Sequence, residues 1–202
     1  MPKIVDHEER RRELVAAVVR VIMRDGIERC TLRAVARESG YSSGVLAHYF
    51  AGKEDLLTAA LRLSHERIYA RIAEKLEPLA GLVAVREFML DNLPLDDERL
   101  TETRLELTYW ARALGDERVL AVQREEAARL RSMLVDVLED ARRRDELAPR
   151  ATVDVAATRL LAFIDGVSLH ATLHPERMTP ELQHRLLDDE LARLAVELPL
   201  TS

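Results

Sequence analysis

Hydrophobic residues recur at helical spacing through most of the chain. Near the amino terminus, Asp6 can cap a helix, and Glu9 three residues later gives a pattern similar to a capping box. The apolar residues that follow fall on one helical face, and Gly26 comes after the last of them. They are Leu14, Ala17, Val18, Val21 and Ile22. The pattern predicts a first helix that ends at Gly26.

The same periodicity continues along the rest of the chain, interrupted by proline or glycine. Helices are predicted at 53–76, 83–93, 99–114, 117–145, 152–174 and 179–198. The interruptions contain Gly81, Pro94, Gly115, Pro149 and Pro175, which favour helix ends. The chain is therefore predicted to have an all-α fold.

The segment from residue 31 to residue 57, TLRAVARESGYSSGVLAHYFAGKEDLL, predicts two short helices joined by a tight turn, then the start of a third helix. Thr31 can cap the first helix through its hydroxyl, and Gly40 suits a left-handed helix end. Ser42 or Ser43 can cap the second helix. Two carboxylates in the first turn of the third helix favour its start.

The second of these helices, Ser42–His48, is small and polar at its start and is followed by aromatic residues. Val45 and Leu46 can pack inward, and Tyr49 and Phe50 can close the unit. A helix with this division can enter a DNA major groove while it stays anchored to a core. The segment is thus predicted to be a helix-turn-helix, braced by the first helix of the chain.

This segment resembles the DNA-binding domain of the TetR family of bacterial transcription regulators. Two positions depart from the usual pattern: Ala47 stands where the family often has tyrosine, and Tyr41 where a small aliphatic residue is common. A phosphate contact at 47 is therefore missing or supplied by a neighbour, and base contacts cannot be copied from a relative. The resemblance rests on Gly26, Ile27, Thr31, Val35, Ala36, Gly40, Tyr49, Phe50, Lys53 and Leu56.

The resemblance implies a set of DNA-contacting residues. Arg33 lies on the outer face of the first helix of the motif, at a position that often touches DNA in the family. Tyr49 and Lys53 match family phosphate contacts, and the alternative for Tyr49 is core packing. The implied set is Thr31, Arg33, Ser42, Ser43, Gly44, His48, Tyr49 and Lys53.

No flexible linker separates the helix-turn-helix from the helix that begins near residue 53. We therefore predict the domain boundary at the start of this helix. Residues 1–52 are predicted to form the DNA-binding domain, and residues 53–202 a helical ligand-binding and dimerisation domain. Residues 160–181, LLAFIDGVSLHATLHPERMTPE, resemble the equivalent segment of BetI-like TetR regulators, with Asp165-Gly166 inside the penultimate helix. Broad apolar faces on the last two helices predict a homodimer seam; the alternative is an ordinary core.

The scarcity of aromatic residues, 4% of the chain, suggests where an effector binds. Trp110, the only tryptophan, is the first candidate for the wall of an apolar pocket, with Tyr109, Phe88 and Phe163 behind it. The face of Trp110 can attract a cationic ligand, and the alternative is that these aromatics fill the core. Asp165 can face a ligand, cap a neighbouring helix or lie at the dimer seam.

Charge is divided unevenly along the chain. The formal net charge is −6, whereas residues 1–52 contain nine basic and seven acidic residues, a balance of +2 that leaves −8 for the remainder. A weakly basic amino-terminal segment followed by an acidic remainder is typical of a DNA-binding domain joined to an effector domain. Basic residues neutralise DNA phosphates, and this supplies much of the affinity for DNA. The excess is too small to decide the function without the motif.

One cysteine, Cys30, rules out a disulfide within the chain and favours an intracellular protein. The first thirteen residues are highly charged and do not resemble a signal peptide, and no apolar run reaches the length of a membrane span. The expected location is the cytoplasm, with no membrane partner.

Two spacings could indicate metal binding. His170 and His174 lie four residues apart on one predicted helix, and Glu181 precedes His184 by three. Neither pair has further ligands in the sequence, so no metal or other cofactor is predicted. A helical enzyme or metal-binding bundle remains the alternative function.

The favoured interpretation is a ligand-responsive transcriptional regulator. It is expected to be a homodimeric repressor that binds a palindromic double-stranded DNA operator and is released by a small-molecule effector. The partners expected are therefore operator DNA, an effector of unknown identity and a second copy of the chain.

Overall fold

The computed structural model describes residues 7–149 and 151–195, and these residues fold almost entirely into α-helices. A short 3₁₀ turn at Ile27–Arg29 separates the first two helices. This confirms the predicted all-α fold. The helices are α1 (His7–Asp25), α2 (Leu32–Ser39), α3 (Ser43–Tyr49), α4 (Lys53–Leu76), α5 (Gly81–Asp91), α6 (Asp97–Ala113), α7 (Glu117–Arg143), α8 (Val153–Leu173) and α9 (Pro180–Ala192).

The carboxy-terminal helix is shorter than predicted. It ends at Ala192 rather than at residue 198, because Leu194 turns into the core and its carbonyl accepts a 2.9 Å hydrogen bond from the amide of Ala148. Ala195 then forms an isolated antiparallel bridge with Leu147. The predicted end of this helix at 198 and the predicted cap at Asp6 lie outside the described residues.

The amino-terminal core joins α1, α2, α3 and the first half of α4. Leu46 of α3 is fully buried, and Phe50 just after α3 is 1% exposed. The same cluster includes Tyr109 from α6 and Val119 from α7. The amino-terminal core therefore includes residues from the second half of the chain, and α6 packs against α4.

The carboxy-terminal core is built from α5, α7, α8 and α9. Phe88 and Leu134 are fully buried in it, together with Leu160 and Leu187. Three apolar residues of α8, namely Val155, Leu169 and Leu173, remain exposed. Among the described residues, no helix combines the length and the apolar character needed to cross a membrane.

The fourth helix belongs to both cores. Leu57 near its start lies in the amino-terminal cluster, and Ile72 near its end lies in the carboxy-terminal cluster. α4 also packs against α1, α5 and α6. A rigid helix shared in this way can carry a displacement from one half of the molecule to the other.

Candidate functional site

The predicted helix-turn-helix is held by its own side-chain caps. The hydroxyl of Thr31 accepts a 3.1 Å hydrogen bond from the amide of Ala34, and the hydroxyl of Ser42 accepts a 3.2 Å bond from Val45. Gly40 ends α2 in the left-handed region, at φ 74°. Of the two candidate caps of α3, the structure selects Ser42.

Helix α3 presents its polar start to solvent and its apolar side to the core. Ser43, Gly44 and His48 are exposed, whereas Leu46 is fully buried. Exposed small residues at the start of a helix allow it to approach base edges closely.

The first helix braces this unit. Arg20 and Arg24 of α1 donate hydrogen bonds of 2.9 and 2.5 Å to the carboxylate of Glu38 on α2. The hydroxyl of Tyr41 donates to Glu13 of α1 at 2.9 Å. Tyr41, which stands where the family usually has a small aliphatic residue, therefore links the turn to α1 by a hydrogen bond.

The other predicted DNA residues lie along the same continuous segment. Arg33 is exposed on α2, and Lys53 is the first residue of α4. Tyr49 is half-buried at the end of α3, where its ring lies 4.5 Å from that of His7 and 5.6 Å from that of His48. Tyr49 thus packs partly against the amino-terminal core and partly beside exposed histidines.

A cavity of about 580 Å³ lies among α4, α6, α7 and α8, with the end of α5 at one side. Trp110 and Asp165 are in its wall, beside apolar residues such as Leu130 and Ile164. A volume of this size is typical of a site for a small organic ligand.

Phe88, Tyr109 and Phe163 do not line this cavity. Phe88 is fully buried in the carboxy-terminal core, and Phe163 packs against the same core. Tyr109 is 2% exposed and points to α4, where its hydroxyl lies 3.1 Å from that of Thr58. These rings fill the protein interior, so adjacency to Trp110 in the sequence does not bring Tyr109 to the cavity.

A polar cluster that the sequence did not reveal forms one wall of the cavity. His65 of α4 lies between Glu106 of α6 and Glu126 of α7, with Nε2 2.8 Å from one carboxylate and Nδ1 3.0 Å from the other. The hydroxyl of Tyr69 donates to Glu126 at 3.0 Å. Three helices are therefore joined through one imidazole ring.

Burial and charge act in opposite directions on this cluster. Burial lowers the pKa of His65, but the hydrogen bond and charge of Glu106, together with Glu126, raise it above its usual value of 6.5. Burial raises the pKa of Glu106, but the hydrogen bond and charge of His65, with hydrogen bonds from Gln123 and Trp110, more than offset this, so the pKa is below its usual value. Both shifts favour a charged His65–Glu106 pair.

Glu106 also orients two neighbours in the wall. The indole Nε1 of Trp110 donates to it at 2.7 Å, and the amide Nε2 of Gln123 donates at 3.0 Å. The buried amide oxygen of Gln123 has no hydrogen-bond partner. A side chain that lines the cavity therefore contains a buried acceptor without a donor.

Asp165 of α8 is partly exposed to solvent, yet the surrounding protein shifts the pKa of its carboxyl group. Burial, with a smaller contribution from the charge of Glu106, raises the pKa of Asp165 to about 6. The carboxylate therefore remains mostly charged at neutral pH. Within the described residues, no group of three or more histidine, cysteine, aspartate or glutamate side chains is arranged to hold a metal ion.

Two family models match two separate regions of the chain. The model described as bacterial regulatory proteins of the tetR family matches residues 14–60, and the model described as BetI-type transcriptional repressor, C-terminal, matches residues 82–196. The chain belongs to the TetR family. The matches confirm both resemblances seen in the sequence, and they identify this chain as a DNA-binding transcriptional regulator rather than a metal-binding bundle.

Individual TetR relatives match over nearly their whole length. The HTH-type transcriptional regulator PksA of Bacillus subtilis is 30% identical, with 98% of this chain and 95% of the relative covered. The regulator BetI of Vibrio vulnificus is 27% identical, with 96% of each chain covered. A solved regulator from Saccharomonospora viridis in complex with choline has a TM-score of 0.85 at 21% identity, covering 95% of this chain and all of that one.

Proposed function

We propose that this chain is a homodimeric repressor of the bacterial cytoplasm that leaves a palindromic operator when a small molecule occupies the cavity. The observation that carries the proposal is the position of α4. This helix begins directly after the helix-turn-helix, and its middle forms the cavity wall through His65 and Tyr69. The proposal assigns the chain no catalytic role and no cofactor.

In this proposal α3 enters the major groove. The exposed Ser43 and Gly44 lie at the base edges, while Arg33, Tyr49 and Lys53 contact the backbone. Two copies related by a twofold axis would then read half-sites about 34–36 Å apart. The +2 charge balance of residues 1–52 supports such contacts.

Dimerisation is assigned to α8 and α9. Leu173 is 61% exposed and Val155 is 56% exposed, on a helix whose opposite side is buried in the core. Exposed apolar residues on one helix are typical of an interface, and a twofold contact would repeat the patch on both subunits.

The effector would act by altering the relation between α4 and α6. These helices are tied at the cavity through His65 and Glu106, and nearer the DNA-reading unit through Thr58 and Tyr109 and through an ion pair of Arg112 with Glu54. A ligand that binds better to one arrangement of α4 and α6 shifts the population towards it. Release of DNA follows if that arrangement has the wrong half-site spacing.

Selection of DNA fragments from a random pool by the purified protein tests the proposal. The expected result is a palindrome with two half-sites separated by about one helical turn or a multiple of it. A Gly44→Glu variant should lose the selected sequence, because a carboxylate at the start of α3 would face phosphates. Val83→Glu, an exposed substitution on α5, is the matched control. Failure to enrich any sequence would contradict the proposal.

A further inference from the structure

The effector cavity has a strongly acidic wall. Five carboxylates line it, contributed by α5, α6, α7 and α8. The cationic side chains in the same wall are Arg99 and His65. The five carboxylates are Asp91, Glu102, Glu106, Glu126 and Asp165.

Two of these carboxylates are neutralised by α4. Arg71 donates to Asp91 at 2.8 Å and to Glu102 at 2.9 Å, and Lys75 forms a second ion pair with Asp91. Asp91 is almost fully buried. This end of the cavity is therefore balanced in charge.

The other three carboxylates share one cation. His65 contacts both Glu106 and Glu126, and among the described arginines none forms an ion pair with Glu106, Glu126 or Asp165. Arg99 pairs instead with Asp96, at 3.6 Å. An excess of negative charge next to a partly desolvated space attracts a cation.

The wall offers little aromatic surface to a quaternary ammonium ion. Such ions are held by cages of aromatic faces, since they have no N–H group to donate. Trp110 and Tyr69 are the aromatic rings of the wall, and the guanidinium of Arg129 already lies 4.2 Å from the centre of the Tyr69 ring. One open aromatic face does not make a cage.

The wall is instead rich in hydrogen-bond acceptors. The buried amide oxygen of Gln123 has no partner, and the carboxylate of Asp165 has no hydrogen-bond donor among the described residues. Asp165 is exposed, so a ligand that covers it must replace its water with donors, and charged donors contribute most. A ligand with N–H groups meets this need, and a trimethylammonium group does not.

We propose that the effector is a protonated primary or secondary amine with an apolar body, whose N–H groups bind among Glu106, Gln123 and Asp165. The apolar body would contact Leu107, Leu120, Leu130, Leu161 and Ile164 in the rest of the wall. The inference rests on the proposed effector role of the cavity. It separates this chain from the Saccharomonospora viridis regulator, whose bound choline is a quaternary ammonium.

Calorimetric titration of the full-length protein without DNA tests the proposal. The probes are 2-(1-naphthyl)ethylamine, its N-methyl and N,N,N-trimethyl derivatives and the naphthyl carboxylic acid of equal chain length, with phenyl and octyl series as alternative bodies. In at least one series the primary and secondary amines should bind at least about tenfold more tightly than the trimethyl compound, as expected for a lost charged hydrogen bond. Equal or tighter binding of the trimethyl compound or the acid, or no binding by any amine, would overturn it.

A matched pair of variants locates the amine. Asp165→Asn should weaken binding of the primary amine at least about tenfold, while Asp136→Asn, an exposed aspartate on α7 outside the wall, should leave it unchanged. Equal affinity in the two variants would remove Asp165 from the site. If a neutral or anionic compound binds the cavity and releases the selected operator, the ligand class is wrong while the proposed function stands.

Discussion

The hydroxyl of Tyr109 lies 3.1 Å from the hydroxyl of Thr58, and this contact joins α6 to α4 one residue away from Trp110 in the cavity wall. Thr58 lies in the second turn of α4, close to the DNA-reading unit. The two hydroxyls therefore join α6, whose next residue lines the cavity, to the start of the helix that follows the recognition helix.

Removal of either hydroxyl should destabilise the protein modestly. Tyr109→Phe and Thr58→Val should each lower the free energy of unfolding by about 1 kcal/mol, because each leaves a mostly buried partner without its hydrogen bond. The double variant should cost little more than either single one. Denaturant unfolding of the four proteins checks this, and fully additive losses would show that the two groups do not interact.

Replacement of Lys53 should weaken DNA binding without changing sequence preference. Lys53→Ala removes a predicted phosphate contact, so the slope of log affinity against log salt should flatten by about one unit for every DNA tested. Arg177→Ala, a highly exposed arginine after α8, is the control. An unchanged affinity and an unchanged slope would exclude Lys53 from the interface.

A charge on the exposed face of α8 should separate the subunits. Leu173→Glu changes an exposed side chain, so the subunit should fold normally yet sediment as a monomer at micromolar concentration. Val83→Glu on α5 should remain dimeric. A monomeric wild-type protein under the same conditions would contradict the assigned dimer.

The stability supplied by His65 should depend on pH. Because its pKa is higher in the folded protein than the usual 6.5, the contribution is complete below that value and is lost as the pH rises through the raised pKa. His65→Gln should therefore destabilise the protein more at about pH 5.5 than at about pH 8.5. His170→Gln, an exposed substitution on α8, is the control. A loss independent of pH would show that the ring acts only by packing.

The effect of Asp165 on stability should be opposite to that of His65: Asp165 should cost stability when it is charged. Its folded-state pKa of about 6 lies above the usual 3.8, so the charged carboxylate costs stability above pH 6 and the cost disappears as the pH falls towards 3.8. Asp165→Asn should accordingly raise the melting temperature at neutral and alkaline pH but not at acidic pH. A carboxylate that costs stability at neutral pH is typical of a group retained for binding. A lower melting temperature of the variant at neutral pH would contradict this role.

The helix-turn-helix could be predicted from the sequence because its determinants are local. The caps at Thr31 and Ser42 and the left-handed glycine at residue 40 each act within a few residues, and the structure places all three as expected. Local signals also fixed most helix boundaries. The last helix ends early because Leu194 and Ala195 pair with a segment far away in the sequence, which no local pattern encodes.

The cavity could be predicted only in part. The sequence marks Trp110 as the only tryptophan and Asp165 as a carboxylate inside the penultimate helix, and both line the cavity. His65, Glu106 and Glu126 lie on three different helices, and each looks like an ordinary surface residue in its own helical pattern. Their convergence depends on how α4, α6 and α7 pack, so the acidic wall becomes visible only in the folded chain.

Coupling between the cavity and the DNA-reading unit can be measured as equilibrium binding of the selected operator with and without a saturating amine. The amine should weaken operator binding, and operator DNA should weaken amine binding by the same factor, because coupling between two sites is reciprocal. An amine that binds the cavity while the affinity for the operator stays unchanged would show that the two sites are not coupled.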